Sequence, residues 1–255
     1  MAAARYDSIG GGYATTRRED PRLAALIDAA LGDARTVVNV GAGAGSYEPR
    51  DREVVAVEPS DVMIAQRDLS RAPAIRGGAY PLPFPDRSFD GAMAVLTIHH
   101  WEEDQERGVK ELRRVARGPV VILTYDAEIA SRMWLIADYF PEVAELDRRT
   151  FPPIEVLAGW LGGAVDVQEV PITRDTPDWH LGSFWAHPER VLDAQARTAT
   201  SGFARMQPDV VDRIVDAVER DLRDGTWDAR HGDLRELDEY DVGLRLVVSP
   251  GNLPR

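Results

Sequence analysis

The chain of 255 residues contains no cysteine and only one lysine, Lys110. Without cysteine there is no disulfide framework, no zinc ribbon and no thiol nucleophile. The formal net charge is −13, and the arginines are scattered among acidic residues. The chain therefore lacks the clustered positive charge on which binding to nucleic acid or to an anionic membrane depends. We expect neither of these as a partner.

A long apolar run and a targeting sequence are also missing. No stretch approaches the roughly 18 apolar residues that a membrane-spanning helix needs. The first residues do not combine a basic segment with an apolar one, as a secretory signal does. We expect a soluble cytoplasmic protein, either a monomer or a homodimer. The length suits one α/β domain that carries an insertion.

A glycine-rich loop joins two apolar segments that predict buried strands. Thr36–Val40 is rich in β-branched residues, and Gly41 and Gly43 then let the backbone turn and approach a ligand. The second segment, Glu53–Glu58, ends in an acid. Ligands of open α/β sheets bind beyond the carboxyl ends of the strands, where such an acid can accept hydrogen bonds from ribose hydroxyls. The pattern predicts a nucleoside site with Glu58 as the ribose acceptor.

The loop distinguishes two classes of nucleoside cofactor. A dinucleotide site has the pattern G-x-G-x-x-G and a helix whose N-terminus holds the pyrophosphate. Here Ser46 stands at the third glycine position. The crossover from Gly41 to Arg52 is close to the minimum for parallel strands, and Pro49 leaves room for little helix. An NAD-type oxidoreductase is therefore the less favoured alternative.

Two segments resemble one enzyme family. Asn39-Val40-Gly41-Ala42-Gly43-Ala44-Gly45 resembles motif I of class I S-adenosylmethionine-dependent methyltransferases, (D/E)-x-G-x-G-x-G. Residues 76–90 resemble the segment G-D-A-E-x-L-P-F-P-D-x-S-F-D of the ubiquinone/menaquinone-biosynthesis type (methyltransferase type 11). The resemblance covers residues 1–126 well and the remainder weakly. It implies a Rossmann-like, doubly wound, mostly parallel seven-stranded sheet and S-adenosylmethionine as the cofactor.

The resemblance and the predicted elements together give a set of cofactor-binding residues, some of them in a mobile N-terminal lid, residues 1–19. The set is Tyr6, Tyr13, Arg17, Asn39, Gly41, Gly43, Glu58, Met63, Gly78, Ala79 and Leu96. Asn39 replaces an acid of the family, and Gly78 stands where an Asp usually accepts the adenine amino group. These two departures keep open a further alternative, a non-catalytic ligand-binding protein with a methyltransferase fold.

The second half of the chain predicts an insertion. Residues 173–240 separate a predicted strand at 165–170 from another at 244–249, and residues 208–222 carry an apolar helical stripe. A loop of this length without structure of its own is improbable. We therefore predict a helical cap, residues 173–240, between the last two strands of a single methyltransferase domain, residues 1–255.

Aromatic side chains near the start of this cap predict the acceptor. Trp179, Phe184 and Trp185 lie close together in the sequence, next to the sixth strand. We expect them to contact a small apolar or aromatic metabolite, such as a natural product or an indole. The expected reaction is methyl transfer to this molecule.

Three residues are candidates for orienting or deprotonating the acceptor: His99, Tyr125 and His180. Residues 91–101 predict one continuous strand, so His99 and His100 should point to opposite faces of the sheet. No H-x-x-x-H or carboxylate-rich loop offers a closed set of metal ligands, and we expect no metal site.

Overall fold

The structure is a computed structural model that describes residues 18–251. The predicted lid residues Tyr6, Tyr13 and Arg17 lie outside the described residues, and their role stays a prediction. The strands are β1 Thr36–Val40, β2 Glu53–Glu58, β3 Ala74–Arg76, β4 Gly91–Val95, β5 Val120–Tyr125, β6 Asp166–Glu169, β7 Ile172–Thr173, β8 Glu239–Tyr240 and β9 Leu244–Ser249.

The helices lie on both faces of the sheet and in the insertion. The α-helices are α1 Pro21–Leu31, α2 Asp61–Ala65, α3 Gln105–Val115, α4 Ala127–Ala130, α5 Pro141–Thr150, α6 Ile154–Trp160, α7 Ala194–Thr198, α8 Ser201–Ala204, α9 Pro208–Arg223 and α10 Thr226–His231. A π-helical turn spans Leu135–Tyr139, and 3-10 turns span Ile98–His100, Glu102–Asp104, Leu181–Phe184, Pro188–Leu192 and Gly232–Glu236.

Two helix starts follow directly from local sequence. Asp20 caps α1 by accepting a hydrogen bond from the backbone N–H of Arg22 at 2.9 Å, and Pro21 occupies the first helical position. Ser60 caps α2 in the same way through the backbone N–H of Met63. An Asp-Pro pair at 20–21 and a serine at position 60 each predict a helix start, and both helices start there.

One seven-stranded sheet has the order β3-β2-β1-β4-β5-β9-β6. β1 to β5 pair in parallel, and β9 runs antiparallel to both β5 and β6. The strand order reverses between β1 and β4. Their carboxyl ends therefore flank a crevice, the place where open α/β sheets bind ligands. The predicted mostly parallel, Rossmann-like sheet is confirmed.

The sheet contributes to two cores, one on each face, because neighbouring residues of a strand point in opposite directions. Val37 and Leu123 belong to the core on the side of α1 and the insertion. Val38 and Ile122 belong to a second core on the side of α3 and α6. The two packed faces hold the carboxyl ends of the strands in fixed positions.

The insertion between β6 and β9 is helical, as predicted, and two short strands pair near its two ends. β7 and β8 form a separate two-stranded sheet in which Ile172 pairs with Tyr240. The sequence did not indicate this short sheet. Within the insertion, α9 buries Ile214 and Val218 completely, in agreement with its apolar stripe.

β4 is shorter than predicted. It ends at Val95; Leu96 then has a φ of 50°, and the 3-10 turn Ile98–His100 follows. The expectation that His99 and His100 point to opposite faces is wrong, because this turn replaces the strand. Their ring centroids lie 3.8 Å apart.

The aromatic residues at the start of the insertion are mainly core. Phe184 and Trp185 are both 0% exposed, and the carbonyl of Trp185 accepts a hydrogen bond from Trp134 Nε1 at 2.8 Å. Trp179 is partly buried beneath the guanidinium of Arg190, 4.4 Å from the ring centroid. The expectation that Phe184 and Trp185 contact the acceptor is wrong, since both side chains fill the space between the sheet and the insertion.

We therefore expect Trp185→Ala to act on stability. Removing a fully buried indole should lower the free energy of unfolding by about 3–5 kcal/mol, measured by urea denaturation. Leu192→Ala, at a side chain 38% exposed in the same insertion, is the control and should change stability by less than about 0.5 kcal/mol. A stable Trp185→Ala variant would contradict this assignment to the core.

Candidate active site

The glycine-rich loop after β1 packs tightly against the segment after β4. Gly41 has a φ of 71°, and a Cβ at this position would lie 2.0 Å from Thr97 Oγ1. Position 41 therefore requires glycine for both conformation and space. Residues 41–52 form turns without a helix. This connection lacks the helix N-terminus that holds a pyrophosphate in dinucleotide sites.

Glu58 joins this loop to α2. The acid ends β2 and is only 4% exposed. One carboxylate oxygen accepts a hydrogen bond from the backbone N–H of Gly43 at 2.8 Å, and the other accepts one from Ser60 at 2.9 Å. Met63, in α2, would meet a Cβ on Gly43 at 3.3 Å. The structure thus brings together three residues predicted around the nucleoside: Gly43, Glu58 and Met63.

Glu48, a buried acid that the sequence analysis missed, also helps to hold the glycine-rich loop in place. Asn39 Nδ2 donates a hydrogen bond to Glu48 Oε1 at 3.0 Å. Arg67 Nη2 donates to both carboxylate oxygens of Glu48 at 2.8 Å. Arg67 Nη1 also donates to the carbonyl of Gly43 at 3.0 Å. We call Asn39, Glu48 and Arg67 the loop network.

The loop network explains why position 39 is an amide. The side chains of Arg67 and Glu48 are 5% and 2% exposed, so each charge depends on the other. Glu48 needs a donor at position 39, and an acid there would place two carboxylates against each other. Asn39 Oδ1 remains buried without a hydrogen-bond partner among residues 18–251. This orphaned acceptor at the end of β1 suits a donor group of a ligand.

The predicted adenine side of the crevice is open at Gly78. A Cβ on Gly78 would have Tyr80 O, at 4.0 Å, as its nearest neighbour within contact range. Ala79 is 7% exposed and packs into the core. The groups that Gly78 and Ala79 offer to a ligand on this side are therefore their backbone N–H and C=O groups.

A cavity lies between the ends of β4 and β5 and the insertion. Its lining residues are Leu96, His99, Tyr125, Ala130, Met133, Ile136, Val143, Asp147, Phe151, His180, Leu181, Gly182, Thr200, Ser201, Gly202 and Val242. The lining combines apolar side chains with six polar ones and includes all three predicted catalytic residues. Leu96 is also adjacent in sequence to Thr97, which contacts Gly41. The glycine-rich loop and the cavity are therefore neighbours.

Two hydrogen-bonded side chains in this cavity are able to transfer a proton. Tyr125 Oη and His180 Nδ1 lie 2.7 Å apart. His180 is 5% and His99 6% exposed. The ring of His99 stacks on that of Phe151, with centroids 4.3 Å apart. A tyrosine and a histidine at this distance can pass a proton between them.

Asp147 of α5 adds a carboxyl group to the cavity. Burial raises the pKa of this group to about 7, and the positive charge of Arg205 opposes the increase. The sequence analysis missed Asp147 because α5 carries several acids. Nothing in the pattern shows which of them faces a cavity.

Tyr47 connects the crossover after β1 to the insertion. Its hydroxyl donates a hydrogen bond to Asp178 Oδ2 at 2.7 Å and accepts one from the backbone N–H of Asp20 at 3.2 Å. Tyr47 and Asp178 are 4% and 2% exposed. Asp178 lies two residues before His180, so this contact helps to fix the cavity wall relative to the loop.

Residues 18–251 contain neither a candidate membrane span nor a candidate metal site. None of the helices in that range is both long and apolar enough to cross a bilayer. No group of three or more His, Asp or Glu side chains within it is arranged to hold a metal ion. The expectation of metal-free chemistry stays a prediction.

Comparisons with known proteins identify methyltransferases. The profile of a family described as methyltransferase domain matches residues 38–122. A protein of Anabaena variabilis, described as a methyltransferase from an antibiotic biosynthesis pathway, is 32% identical, with a TM-score of 0.85. The match covers 92% of this chain and 98% of that chain. A match of this extent has to include most of the insertion.

Two further proteins are more distant. The 2-methyl-6-phytyl-1,4-hydroquinone methyltransferase 2, chloroplastic, of Oryza sativa subsp. japonica is 27% identical over 164 residues, 57% of this chain. That match spans 42% of the rice protein's length. A phosphoethanolamine N-methyltransferase 2 of Haemonchus contortus, solved with phosphomonomethylethanolamine and S-adenosylhomocysteine, is 15% identical. It covers 91% of this chain and 53% of that chain, with a TM-score of 0.52, and shares the fold.

Placing the acid of the family pattern at position 39 should destabilise the loop network. In Asn39→Asp a carboxylate replaces the amide that donates to Glu48 Oε1 at 3.0 Å. We expect the free energy of unfolding to fall by about 1–3 kcal/mol, the value of a lost buried hydrogen bond. Adding Glu48→Gln should recover most of the loss, because its amide can donate to the acid and accept from Arg67.

Urea denaturation of both single variants and the double variant gives the coupling energy between the two positions. A single Asn39→Asp variant as stable as the unmodified chain would contradict the account. Losses that simply add in the double variant would contradict it equally.

Proposed function

Because the chain belongs to the class I S-adenosylmethionine-dependent methyltransferases of the small-molecule type, we propose that its crevice binds S-adenosylmethionine and its cavity binds the acceptor. The observation that carries this proposal is the contact between the two sites. Thr97 packs on Gly41 of the glycine-rich loop, while the preceding residue, Leu96, lines the cavity. A methyl donor on the loop would thus face an acceptor in the cavity.

The residues at the crevice fit this cofactor. Glu58, at the end of β2, is placed to accept hydrogen bonds from the ribose hydroxyls. Asn39 Oδ1, buried without a partner among the described residues, is placed to accept one from the methionine end. Gly41 and Gly43 allow close approach of the backbone, and Met63 packs beside them.

On the adenine side, Gly78 and Ala79 contribute backbone groups, in place of the acid usual at position 78. Leu96 lies where the crevice meets the cavity. The contribution of Tyr6, Tyr13 and Arg17 to closing the crevice stays a prediction. Within residues 18–251, the proposed cofactor site therefore depends on backbone shape and two polar side chains, Asn39 and Glu58.

When bound, S-adenosylmethionine supplies a methyl group already activated by the positively charged sulfur. The protein has to hold the nucleophile in line and exclude water, and such positioning can supply about 7–11 kcal/mol of the barrier. The apolar cavity walls perform both tasks. If the nucleophile carries a proton that must leave, the Tyr125–His180 pair is placed to receive it. His99, stacked on Phe151, helps to orient the acceptor ring.

The acceptor is proposed to be a small apolar or aromatic metabolite. Met133, Ile136, Val143 and Phe151 supply apolar walls, between which the polar side chains of the cavity lie. The Anabaena relative is described as part of an antibiotic biosynthesis pathway. That description supports a natural product as the acceptor of this chain.

Replacement of Glu58 tests the cofactor site. Glu58→Ala leaves two ribose hydroxyls without their charged acceptor, and we expect S-adenosylhomocysteine to bind more weakly by about 1.5–3 kcal/mol. Glu53→Ala, at the exposed first residue of the same strand, is the matched control and should bind normally. Calorimetric titration measures both, with NAD as the ligand that should not bind. Equal affinity in the two variants would remove Glu58 from the site.

Removing the Tyr125 hydroxyl tests whether the Tyr125–His180 pair takes part in proton transfer. Tyr125→Phe removes the hydrogen bond to His180, and we expect kcat to fall by a factor of about 10² or more. The affinity for S-adenosylhomocysteine should not change. Tyr240→Phe makes the same chemical change in β8, away from the cavity lining, and is the control.

The assay is methyl transfer to the best acceptor found in a panel of phenols and aryl amines. A Tyr125→Phe variant with unchanged kcat would show that Tyr125 has no role in proton transfer. A fall in cofactor affinity equal to the fall in kcat would instead indicate a structural role.

A further inference from the structure

One carboxyl group in the cavity has no part in the chemistry described so far. Asp147 lies on the last turn of α5 and shares the cavity wall with Val143, one turn earlier. Its side chain forms no hydrogen bond and no ion pair with any residue between 18 and 251. Among the described residues, Arg205 lowers the pKa of Asp147, and it does so only through its charge.

Other acids of the same helix are paired. Glu142 receives a hydrogen bond from Arg213 at 2.5 Å, and Glu145 lies 3.6 Å from Arg149. Arginine is abundant in this chain, yet no arginine of residues 18–251 forms an ion pair with Asp147. On α5, the solvent-facing Glu142 and Glu145 thus have arginine partners, whereas the cavity-facing Asp147 has no such partner within residues 18–251.

An unpaired carboxylate between apolar walls is unfavourable. Burial accordingly raises the pKa of Asp147 to about 7, so the ionised form is poorly stabilised while the cavity holds no partner. A cation inside the cavity would remove this penalty. Because Asp147 is partly buried, the attraction between the two charges would be stronger than at the surface.

We propose that Asp147 is a specificity residue that binds a protonated aliphatic amino group of the acceptor, and that the acceptor is a small molecule in which this group is joined to an aromatic ring by an alkyl chain. This rests on the proposed function, in which the cavity is the acceptor site. The nitrogen held by Asp147 keeps its proton and is not the methyl acceptor. The nucleophile is a second atom of the same molecule, close to the Tyr125–His180 pair.

An amine should bind in the cavity more tightly as the pH rises. A cation binds the ionised carboxylate, so its binding lowers the pKa of Asp147 below about 7. The affinity for an amine should therefore rise as the pH increases through 7, while the alkylammonium group, with a pKa near about 10, stays charged. The other titratable groups that the described part of the chain contributes to the cavity wall are His99, Tyr125 and His180. Protonated histidines would repel the amine at low pH, so their effect has the same sign and must be separated from that of Asp147.

A pair of probes with matched shape makes that separation. 2-Phenylethylamine and 2-phenylethanol share a ring and a chain and differ in charge. Each is titrated calorimetrically at about pH 5.5 and about pH 8.5, on either side of the pKa of Asp147. The titrations use protein with and without saturating S-adenosylhomocysteine, and compare the unmodified chain, Asp147→Asn and Glu145→Gln. Glu145→Gln removes a charge from the same helix away from the cavity lining.

We expect the amine to bind at least about tenfold more tightly than the alcohol at the higher pH, equivalent to about 1.4 kcal/mol. Asp147→Asn should abolish this preference and most of its pH dependence, and Glu145→Gln should retain both. Any pH dependence left in Asp147→Asn belongs to the histidines.

Equal or tighter binding of the alcohol, retention of the preference in Asp147→Asn, or failure of the amine to bind would each overturn the proposal. The cofactor is tested separately in the same experiment. If S-adenosylhomocysteine does not bind, the proposed function fails, and the titrations without it still decide the role of Asp147.

Discussion

The crevice depends on one buried ion pair, that between Glu48 and Arg67. Through it, the crossover after β1, the glycine-rich loop and the segment after α2 are fixed to one another. A buried carboxylate is stable only when its charge and its hydrogen-bonding capacity are satisfied. Asn39 supplies the remaining donor. The amide at position 39 is thus a consequence of the acid at position 48, and a departure from the family pattern becomes part of a consistent arrangement.

Two sites with different chemistry meet beyond the carboxyl ends of the strands. On the side of β1 and β2, the loop and Glu58 present backbone N–H groups and acceptor oxygens. On the side of β4 and β5, the cavity presents apolar walls and a few titratable groups. The φ of 50° at Leu96 turns the chain at the boundary, where β4 would otherwise continue. The contact of Tyr47 with Asp178 then links the loop to the insertion that completes the cavity.

Local patterns were sufficient for much of the fold. β-Branched runs predicted β1 and β2, and side-chain caps predicted the starts of α1 and α2, because these signals act within a few residues. Contacts between residues far apart in the sequence could not be predicted from these local patterns. Glu48 and Arg67 are 19 residues apart, and Tyr47 and Asp178 are 131 apart. The aromatic pattern at 179–185 was misread for a related reason, since sequence alone does not show whether a buried ring faces a cavity or the core.

The central claim is that the crevice and the cavity form one continuous active site. A crystal structure of the chain with S-adenosylhomocysteine tests it most directly. The account predicts ribose hydroxyls on Glu58, the amino group of the homocysteine end near Asn39 Oδ1, and the sulfur beside Leu96 at the mouth of the cavity. A sulfur atom directed away from the cavity, or a ribose held by residues other than Glu58, would contradict it.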